Sequence, residues 1–526
     1  MTNETDPVRA VAAGYTFDGP TLDLGALMVD GQPHPDAQIR IPLAMLTRHG
    51  LVAGATGTGK TKTLQGLAEQ LSAAGVPVFL ADMKGDLSGM AAPGEGSEKL
   101  AARTQALGQQ WSPKAFPCEF YALGGQGTGI PVRATVSAFG PTMLAKVLDL
   151  NATQESSLGL VFHFADTKGW LLLDLKDLRS VLLYLTSDEG KAELKAIGGL
   201  SPQTVGVILR ELTAFEAKGA EPFFGETEFG ALDLIRSTPD GRGVVSLLEL
   251  PGVASRPELF STFLLWLVAE LFERLPEVGD LDRPKLVFFF DEAHLLFNGA
   301  SKAFVAAITQ AVRLIRSKGV GIFFVTQTPK DVPGDVLAQL GNRVQHALRA
   351  YTPDDAKALK ATVSTFPKSQ YDLAEVLQNL GIGEAVVTVL SENGAPTPVA
   401  WTRLRAPESL MAEADPAVVQ GIVNASPLLA TYGPAIDRES AYEILAAREV
   451  QAQQAAEDAA AAKEAAKEME DEAKRAEREA RSRPTAAPKA PPNLIDQALG
   501  SATVKRAMNT AVREITRSIF GTRKRG

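Results

Sequence analysis

A glycine-rich segment between residues 54 and 61 has the residue types and spacing of a phosphate-binding loop. Its sequence, GATGTGKT, matches G-x-x-x-x-G-K-[ST], with an apolar run before it and an amphipathic segment after it. The glycines let backbone N–H groups point at phosphate oxygens, where the dipole of the following helix also attracts anions. We expect Lys60 to reach the β and γ phosphates and the Thr61 hydroxyl to bind Mg²⁺. A glycine-rich turn without a ligand is the alternative.

A second segment supplies two adjacent carboxylates after an apolar run. In KLVFFFDEAHLLF, residues 285–297, the run predicts a buried strand whose carboxyl end presents Asp291 and Glu292. We expect Asp291 to hold Mg²⁺ through its water shell and Glu292 to orient and polarise the attacking water. The alternative is that the pair caps the next helix. For His294, a structural hydrogen bond and a catalytic role both remain open.

A third apolar run, GVGIFFVTQTP, ends in the polar residues Thr326 and Gln327. A polar side chain beside the strand that carries the carboxylates can sense the γ-phosphate or the attacking water. Gln327 is therefore a candidate sensor, although a polar residue after a strand also occurs without any function.

The elements that must position these residues alternate along the chain. Over residues 41–405, apolar runs alternate with longer amphipathic segments, which predicts an α/β fold with a mainly parallel sheet. Residues 1–40 are predicted to be a short β-containing N-terminal segment. A helical insertion is expected at about 90–235, and a hairpin with an Asn393-Gly394 turn at 384–404.

The chain beyond residue 405 has a different composition. We expect a C-terminal helical extension at 406–440 and a charged Ala/Glu/Lys-rich helix at 441–482, exposed rather than in a coiled coil. A Pro/Ala linker at 483–493, predicted to be disordered, precedes a basic amphipathic helix at 494–526. That helix could meet an anionic membrane, nucleic acid or a partner groove, or it could dock on the body of the protein.

Composition limits the setting in which the protein works. The net charge is −9, which argues against a surface coated in basic residues but allows a local basic channel for nucleic acid. The single cysteine, Cys118, excludes an internal disulfide and a cysteine metal cluster. Because no leader pattern and no long apolar segment is present, we expect a cytoplasmic protein without a transmembrane span.

The four letters Asp-Glu-Ala-His also name a helicase superfamily, but its companion motifs are absent after Asp291. The base-reading motif N-K-x-D of GTPases is absent too, which favours ATP over GTP. The segments TRHGLVAGATGTGKT, FFFDEAHLLF, RLIRSKGVGIFFVTQTP and LGNRVQHALRAYTP together resemble the HerA-like branch of the HerA/FtsK ATPases. The resemblance spans roughly residues 15–405. It is strongest to a bacterial group that has a HerA-like helicase domain and a helical insertion.

This resemblance implies a RecA-like P-loop core, ATP hydrolysis at the interfaces of a hexameric ring, and movement along double-stranded DNA. Archaeal relatives work with a nuclease, so a nuclease or another protein is an expected partner. By resemblance, Arg48 lies at the ATP interface, Asp82 ends the second strand, and Arg316 reaches the ATP of the neighbouring subunit. The residues predicted to contact nucleotide are Gly54, Ala55, Thr56, Gly57, Thr58, Gly59, Lys60, Thr61, Thr63 and Asp82. The predicted catalytic residues are Lys60, Glu292, Gln327, Arg316 and Arg48.

The position of Arg316 can also be argued from helical periodicity. The apolar stripe of the predicted helix 301–318 consists of Phe304, Ile308, Val312 and Ile315, which leaves Arg316 at its edge and free of the core. An arginine that enters a neighbouring site stabilises charge on the transferred phosphoryl group and makes hydrolysis depend on assembly. The alternatives are a solvated helix face, or Arg313 or Arg343 in the same role.

Two functions fit these observations. The first is an ATP-hydrolysing motor that is a hexameric double-stranded DNA translocase or helicase. The second is a regulatory or scaffolding P-loop ATPase that acts on a protein or membrane partner without moving DNA.

Overall fold

A computed structural model of the chain describes residues 7–482, except residues 196–197, 254–255 and 299. The predicted linker at 483–493 and the predicted basic helix at 494–526 lie outside the described residues. The chain divides into two compact units, Met1–Arg448 and Glu449–Gly526. All of the predicted site residues belong to the first unit.

One mixed sheet forms the framework of the first unit. In the described part of the chain it has twelve strands: β1 Thr21–Val29, β2 Gln32–Pro42, β3 Gly50–Ala53, β4 Val78–Asp82, β5 Cys118–Leu123, β6 Ile130–Val132, β7 Val245–Glu249, β8 Leu286–Phe290, β9 Val320–Thr326, β10 Asn342–Gln345, β11 Glu384–Thr388 and β12 Ala400–Leu404. Their order is β2-β1-β12-β11-β10-β3-β9-β8-β4-β7-β5-β6.

The sheet has a parallel part and an antiparallel part. Each neighbouring pair from β10 through β3, β9, β8, β4, β7 and β5 to β6 is parallel. The pairs β10–β11, β11–β12, β12–β1 and β1–β2 are antiparallel. The N-terminal strands therefore belong to the same sheet as the strands that carry the predicted site. The predicted α/β fold with a mainly parallel sheet is confirmed.

Helices pack on this sheet and bury its apolar side chains. The α-helices in the described residues are α1 Pro7–Ala13, α2 Lys60–Ala73, α3 Glu98–Ala106, α4 Val136–Phe139, α5 Pro141–Val147, α6 Ala152–Lys168, α7 Leu175–Thr186, α8 Asp188–Leu194, α9 Pro202–Ala217, α10 Pro257–Arg274, α11 His294–Phe297, α12 Lys302–Ile315, α13 Gly334–Leu337, α14 Pro353–Val363, α15 Leu373–Asn379, α16 Pro416–Ala425, α17 Pro427–Tyr432 and α18 Ala441–Ser482. In the described chain, no helix is long and apolar enough to cross a membrane.

The insertion between β4 and β7 is more than a helical bundle. Helices α3 to α9 lie within it, as the pattern at about 90–235 predicts. It also contains β5, which pairs in parallel with β7, and β6, which pairs in parallel with β5, so that the two strands extend the sheet at that edge. The sequence pattern did not reveal these two short strands.

The last described helix, α18, runs through the charged segment predicted to be helical. Its residues from Ala446 to Ser482 are all exposed, because Ala, Glu, Lys and Arg offer no apolar stripe to bury. Side-chain pairs four residues apart, such as Lys474 with Glu470 at 2.7 Å, lie along its surface.

Candidate active site

Strand β3 places the glycine-rich loop at the carboxyl edge of the parallel sheet. All four residues of β3 are buried, and the strand lies between β9 and β10. Gly54 has a φ of +156°, and a Cβ atom there would lie 2.4 Å from the Cβ of His346. Gly59, with a φ of +108°, precedes α2 in the left-handed region. Glycine is therefore required at both ends of the loop, where the chain turns from strand to helix.

Lys60, the first residue of α2, folds back over the loop. Its ammonium donates to the carbonyl oxygens of Gly54 at 2.7 Å and Ala55 at 3.2 Å. Burial lowers the pKa of Lys60, and the negative charges of Glu292 and Asp291 oppose that shift. Lys60 therefore lies between the loop and the carboxylates, as a lysine that binds the β and γ phosphates must.

A buried histidine, His346, which the sequence pattern did not single out, bonds with the last part of the loop and with the first turn of α2. The Nδ1 atom of His346 lies 3.1 Å from the carbonyl oxygen of Thr58, and its Nε2 lies 3.0 Å from Oγ1 of Thr63. Burial, together with the charge of Lys60, lowers the pKa of His346 to about 4, so the ring is neutral. The hydroxyl of Thr63 bonds with this histidine and with the carbonyl of Gly59; its contact with nucleotide stays a prediction.

Strand β8 presents Asp291 at the same edge of the sheet. Phe288 and Phe289 in β8 stack against Phe79 and Phe323 of the neighbouring strands, with ring centroids 5.0 and 5.2 Å apart. Because each buried phenylalanine contributes about 1.5–3 kcal/mol, the register of β8 is firmly set. The position of Asp291 is fixed with it.

The carboxyl group of Asp291 suits a hard cation. Its Oδ1 accepts from the backbone N–H of Glu292 at 2.9 Å, whereas its Oδ2 is buried with no hydrogen-bond partner in the described chain. Burial and the neighbouring charge of Glu292 raise the pKa of Asp291 to about 7. A divalent cation would satisfy both the unpaired oxygen and the negative charge. Thr61, half-buried in the first turn of α2, offers the hydroxyl oxygen that Mg²⁺ prefers as a second ligand.

Glu292 follows in a left-handed conformation, with φ of +48°. Its Oε1 lies 2.6 Å from the ammonium of Lys84, and its Oε2 lies 3.3 Å from Nδ1 of His294. Burial opposes ionisation of this carboxyl group, but the hydrogen bond and the charge of Lys84 outweigh burial and lower the pKa of Glu292. Lys84 is a second functional candidate that the sequence pattern did not single out.

Asp82 at the end of β4 organises the loop that carries Lys84. Its Oδ1 accepts from the backbone N–H groups of Lys84 and Gly85 at 3.1 and 2.8 Å, and its Oδ2 accepts from Leu87 at 2.9 Å. Both oxygens of Asp82 are thus engaged by backbone. In this arrangement Asp82 holds the loop that carries Lys84, and its contact with nucleotide stays a prediction.

Gln327 follows β9, the strand between β3 and β8. Its side chain is exposed and lines an open cavity of about 380 Å³ together with Ala55 and Thr56 of the glycine-rich loop. Arg349 and Tyr351 line the same cavity. The strand order places Gln327 between the strand that precedes the phosphate loop and the strand that precedes the carboxylates, and its role as a sensor stays a prediction.

The two predicted interface arginines lie at the opposite edge of the sheet. Arg48 ends the 3₁₀ turn Leu43–Arg48 just before β3, and Arg316 lies between α12 and β9. The loop and the carboxylates follow the carboxyl ends of these same parallel strands, whereas both arginines precede the amino ends. Neither arginine therefore enters the site of its own chain.

The surroundings of the arginines distinguish Arg316 from its alternatives. Phe304, Ile308, Val312 and Ile315 are buried, as the apolar stripe of the helix predicts. Arg316 is partly exposed, 4.0 Å from Asp280, and its pKa is lowered by partial burial and by the charge of Arg48. Arg343 instead donates to the carbonyl of Thr365 at 3.2 Å, and Arg313 is exposed.

Solved structures resemble this chain in fold rather than in sequence, and no curated protein sequence matches it. The bacterial conjugative coupling protein TrwBdeltaN70, in an unbound form, is 16% identical, with 78% of this chain and 94% of that chain covered and a TM-score of 0.50. TrwB in complex with ADP and Mg²⁺ is 17% identical over 76% of this chain and 99% of that chain, with a TM-score of 0.49. VirB4 of Thermoanaerobacter pseudethanolicus is 14% identical over 77% and 99%, with a TM-score of 0.46.

The sequence family described as Helicase HerA-like C-terminal matches residues 28–526. This match reaches beyond residue 405, where the resemblance seen in the motifs ends. It covers the glycine-rich loop, the carboxylate pair and the sheet that brings them together. The chain therefore belongs to the HerA-like helicase C-terminal family of P-loop ATPases.

Proposed function

We propose that this protein is an ATP-hydrolysing motor of the HerA type that moves along double-stranded DNA as a hexameric ring. The observation that carries the proposal is the meeting of three groups at the carboxyl edge of the parallel sheet. These groups are the loop at 54–61, the unpaired oxygen of Asp291, and Glu292. Ligands of open α/β sheets bind at this edge.

The residues of the site account for the hydrolysis of ATP. The phosphates bind in the loop at 54–61, where backbone N–H groups and Lys60 balance their charge. Mg²⁺ held by Thr61 and Asp291 would offset the negative charge of the β and γ phosphates. Glu292 orients a water molecule and takes its proton as the water oxygen bonds to the γ phosphorus. The bond from that phosphorus to the bridging oxygen breaks, and ADP and phosphate leave.

The arginines make assembly part of the proposed reaction. Because Arg48 and Arg316 lie at the edge opposite to the site, they can serve only the site of another subunit. Supplied in this way, an arginine stabilises charge on the transferred phosphoryl group only inside a ring. In a closed ring with one repeated interface, every site receives an arginine from the adjacent subunit.

The proposed substrate follows from the family description, which names helicases. A net charge of −9 does not oppose DNA binding, since a ring needs basic residues only where it lines its pore. A cytoplasmic location and a nuclease or other protein partner are parts of the same proposal.

The test is the rate of ATP hydrolysis with double-stranded DNA, with single-stranded DNA and with no nucleic acid, while the mass in solution is recorded. We expect a hexamer whose rate rises several-fold with double-stranded DNA, and loss of hydrolysis in Lys60→Ala. A ring that hydrolyses ATP at one rate under all three conditions would reject the DNA motor. That result would favour a regulatory or scaffolding ATPase.

A further inference from the structure

Lys84 and Glu292 form a contact that the hydrolytic role of Glu292 does not require. The two residues are 208 positions apart in sequence, and their side chains meet at 2.6 Å. Only 11% of the Glu292 side chain is exposed, whereas half of the Lys84 side chain is exposed. The carboxylate is thus held in place while the lysine has room to move.

The backbone that carries Lys84 is fixed, so motion there belongs to the side chain. Asp82 accepts three backbone hydrogen bonds from residues 84, 85 and 87. Ser88 donates to the carbonyl of Gly85 at 2.9 Å and accepts from the backbone N–H of Ala414 at 3.1 Å. A lysine has four rotatable bonds beyond such an anchor, and its ammonium can exchange one anionic partner for another.

In this arrangement Glu292 is poorly placed to act on water. Its Oε1 accepts from the ammonium of Lys84, and its Oε2 is buried 3.3 Å from Nδ1 of His294, without a hydrogen-bond partner in the described chain. A carboxylate that takes a proton from water needs an oxygen that the water can reach within hydrogen-bond distance. The contact with Lys84 must therefore open before the group can work.

The charges around the contact show what opens it. Lys60 and Lys84 face Asp291 and Glu292, and each of these groups acts on the ionisation of others in the set. A γ-phosphate adds negative charge, and the ammonium of Lys84 can then pair with a phosphate oxygen in place of the carboxylate.

We propose that Lys84 is a positioning residue that holds Glu292 inactive until the γ-phosphate of ATP takes over its ammonium and frees the carboxylate. This inference rests on the proposed ATPase site and adds a control to it. ADP lacks the γ-phosphate, so it leaves Lys84 on Glu292. Because of this lysine, Glu292 can activate water only when ATP, with its γ-phosphate, is bound.

The inference is tested by measuring the affinities of Mg²⁺-ATPγS and Mg²⁺-ADP for the full chain and three variants: Lys84→Met, Glu292→Gln and the double variant. Removing the charge of Glu292 releases Lys84, so Glu292→Gln should bind ATPγS about tenfold more tightly, as expected for one charge-assisted hydrogen bond. The affinity for ADP should stay unchanged. Lys84→Met should lose about tenfold in ATPγS affinity, and the gain from Glu292→Gln should vanish in the double variant.

Matched variants separate this effect from a general loss of structure. Lys114 pairs with Glu408 at 2.8 Å, with side-chain exposures of 55% and 12% that match the 50% and 11% of Lys84 and Glu292. Lys114→Met should leave both affinities unchanged. Lys84→Arg, which keeps a cationic donor, should retain most of the preference for ATPγS.

Additive effects of Lys84→Met and Glu292→Gln would overturn the inference, and so would equal losses of ATPγS and ADP affinity in Lys84→Met. Neither result would affect the proposed function. If the unchanged chain and Lys114→Met both failed to bind ATPγS, the ATPase site would be wrong and the inference would fall with it. Coupling between positions 84 and 292 without stimulation by DNA would support the inference and reject only the DNA motor.

Discussion

Gly54 begins the phosphate loop at a position where no side chain fits. Its φ is +156°, and a Cβ atom added there would lie only 2.4 Å from the Cβ of His346, so any larger residue is both strained and overpacked. We predict that Gly54→Ala lowers the free energy of unfolding by about 1–3 kcal/mol and abolishes ATP binding. Urea unfolding and nucleotide titration measure the two effects.

The control for this prediction is Gly66→Ala in α2. A Cβ atom at Gly66 would meet nothing within 4 Å, and alanine is favoured over glycine inside a helix by about 0.5–1 kcal/mol. We expect this variant to be slightly more stable and to bind ATP normally. Equal behaviour of the two variants would show that the loop does not have the geometry described.

His49 gives the fold a dependence on pH. The ring is buried, and its Nδ1 accepts from the backbone N–H of Ile322 at 3.0 Å. Burial lowers the pKa of His49 from 6.5 to about 4, so between these values the unfolded chain binds a proton that the folded chain does not. The free energy of unfolding should fall as the pH drops from 6.5 toward 4, by about 2 kcal/mol at pH 5 from this residue.

Urea unfolding at pH 7 and pH 5 tests this dependence. His49→Gln removes the titrating group and should reduce the difference between the two pH values by about 2 kcal/mol. The exposed His163 is the control, and His163→Gln should leave the difference unchanged. An unchanged difference in His49→Gln would contradict the assignment.

At the residue scale, the sequence predicts the functional side chains that follow strands. It does not predict which residues, distant in sequence, contact them. Lys60 and Asp291 could be placed together because the loops that follow parallel strands of one sheet lie at the same edge. Lys84 and His346 could not, because their contacts with Glu292 and Thr63 join residues 208 and 283 positions apart. The role of Asp82 also depends on the folded turn, in which backbone N–H groups occupy both of its oxygens.

At the scale of elements, α12 and β9 determine the edge of the sheet at which Arg316 lies. Ser301 caps α12 by accepting from the backbone N–H of Phe304 at 3.1 Å, and Gly319 ends the following turn with φ of +79°. The chain then enters β9 in parallel register with β3 and β8. Arg316 is therefore held at the amino edge of the sheet, away from the candidate site of the same chain.

A mixing experiment tests this geometry. Lys60→Ala subunits lack a working phosphate loop but keep Arg316, whereas Arg316→Ala subunits have the reverse defect. Each variant alone should be nearly inactive, and equal random mixing should restore about a quarter of the unmodified ATPase rate, because about a quarter of interfaces combine two intact halves. A rate no higher than those of the separate variants would place Arg316 outside the neighbouring site.

The matched control for mixing is Arg313, which is exposed in the last turn of α12, three residues before Arg316. Arg313→Ala alone should keep its ATPase rate. Loss of activity in Arg313→Ala, with recovery on mixing, would assign the arginine role to that residue instead.

The elements themselves were predicted to different degrees. Long apolar runs such as β8 and the striped helix α12 carry clear periodicity and are found where expected. Strands β5 and β6 were missed because they are short and lie in a segment dominated by helices. Strand β5 depends on pairing with β7, more than a hundred residues further along the chain, and β6 depends on pairing with β5.

At the scale of the whole molecule, one sheet joins segments that differ in sequence pattern. Strands β1 and β2 lie largely in the predicted N-terminal segment; β1 pairs with β12 from the far end of the predicted ATPase domain, and β2 pairs with β1. Composition alone marks changes along a chain, and it cannot show that distant segments share hydrogen bonds. The division of the chain into the domains given above remains a prediction.

The central claim is that ATP hydrolysis at this site drives movement along double-stranded DNA. The most direct measurement is displacement of a third strand bound to a linear duplex, since a protein that moves along the duplex must remove it. We predict displacement with Mg²⁺-ATP, none with Mg²⁺-ADP, and none by Glu292→Gln, which lacks the carboxylate that activates water. A DNA-bound protein that hydrolyses ATP and leaves the third strand in place would contradict the account.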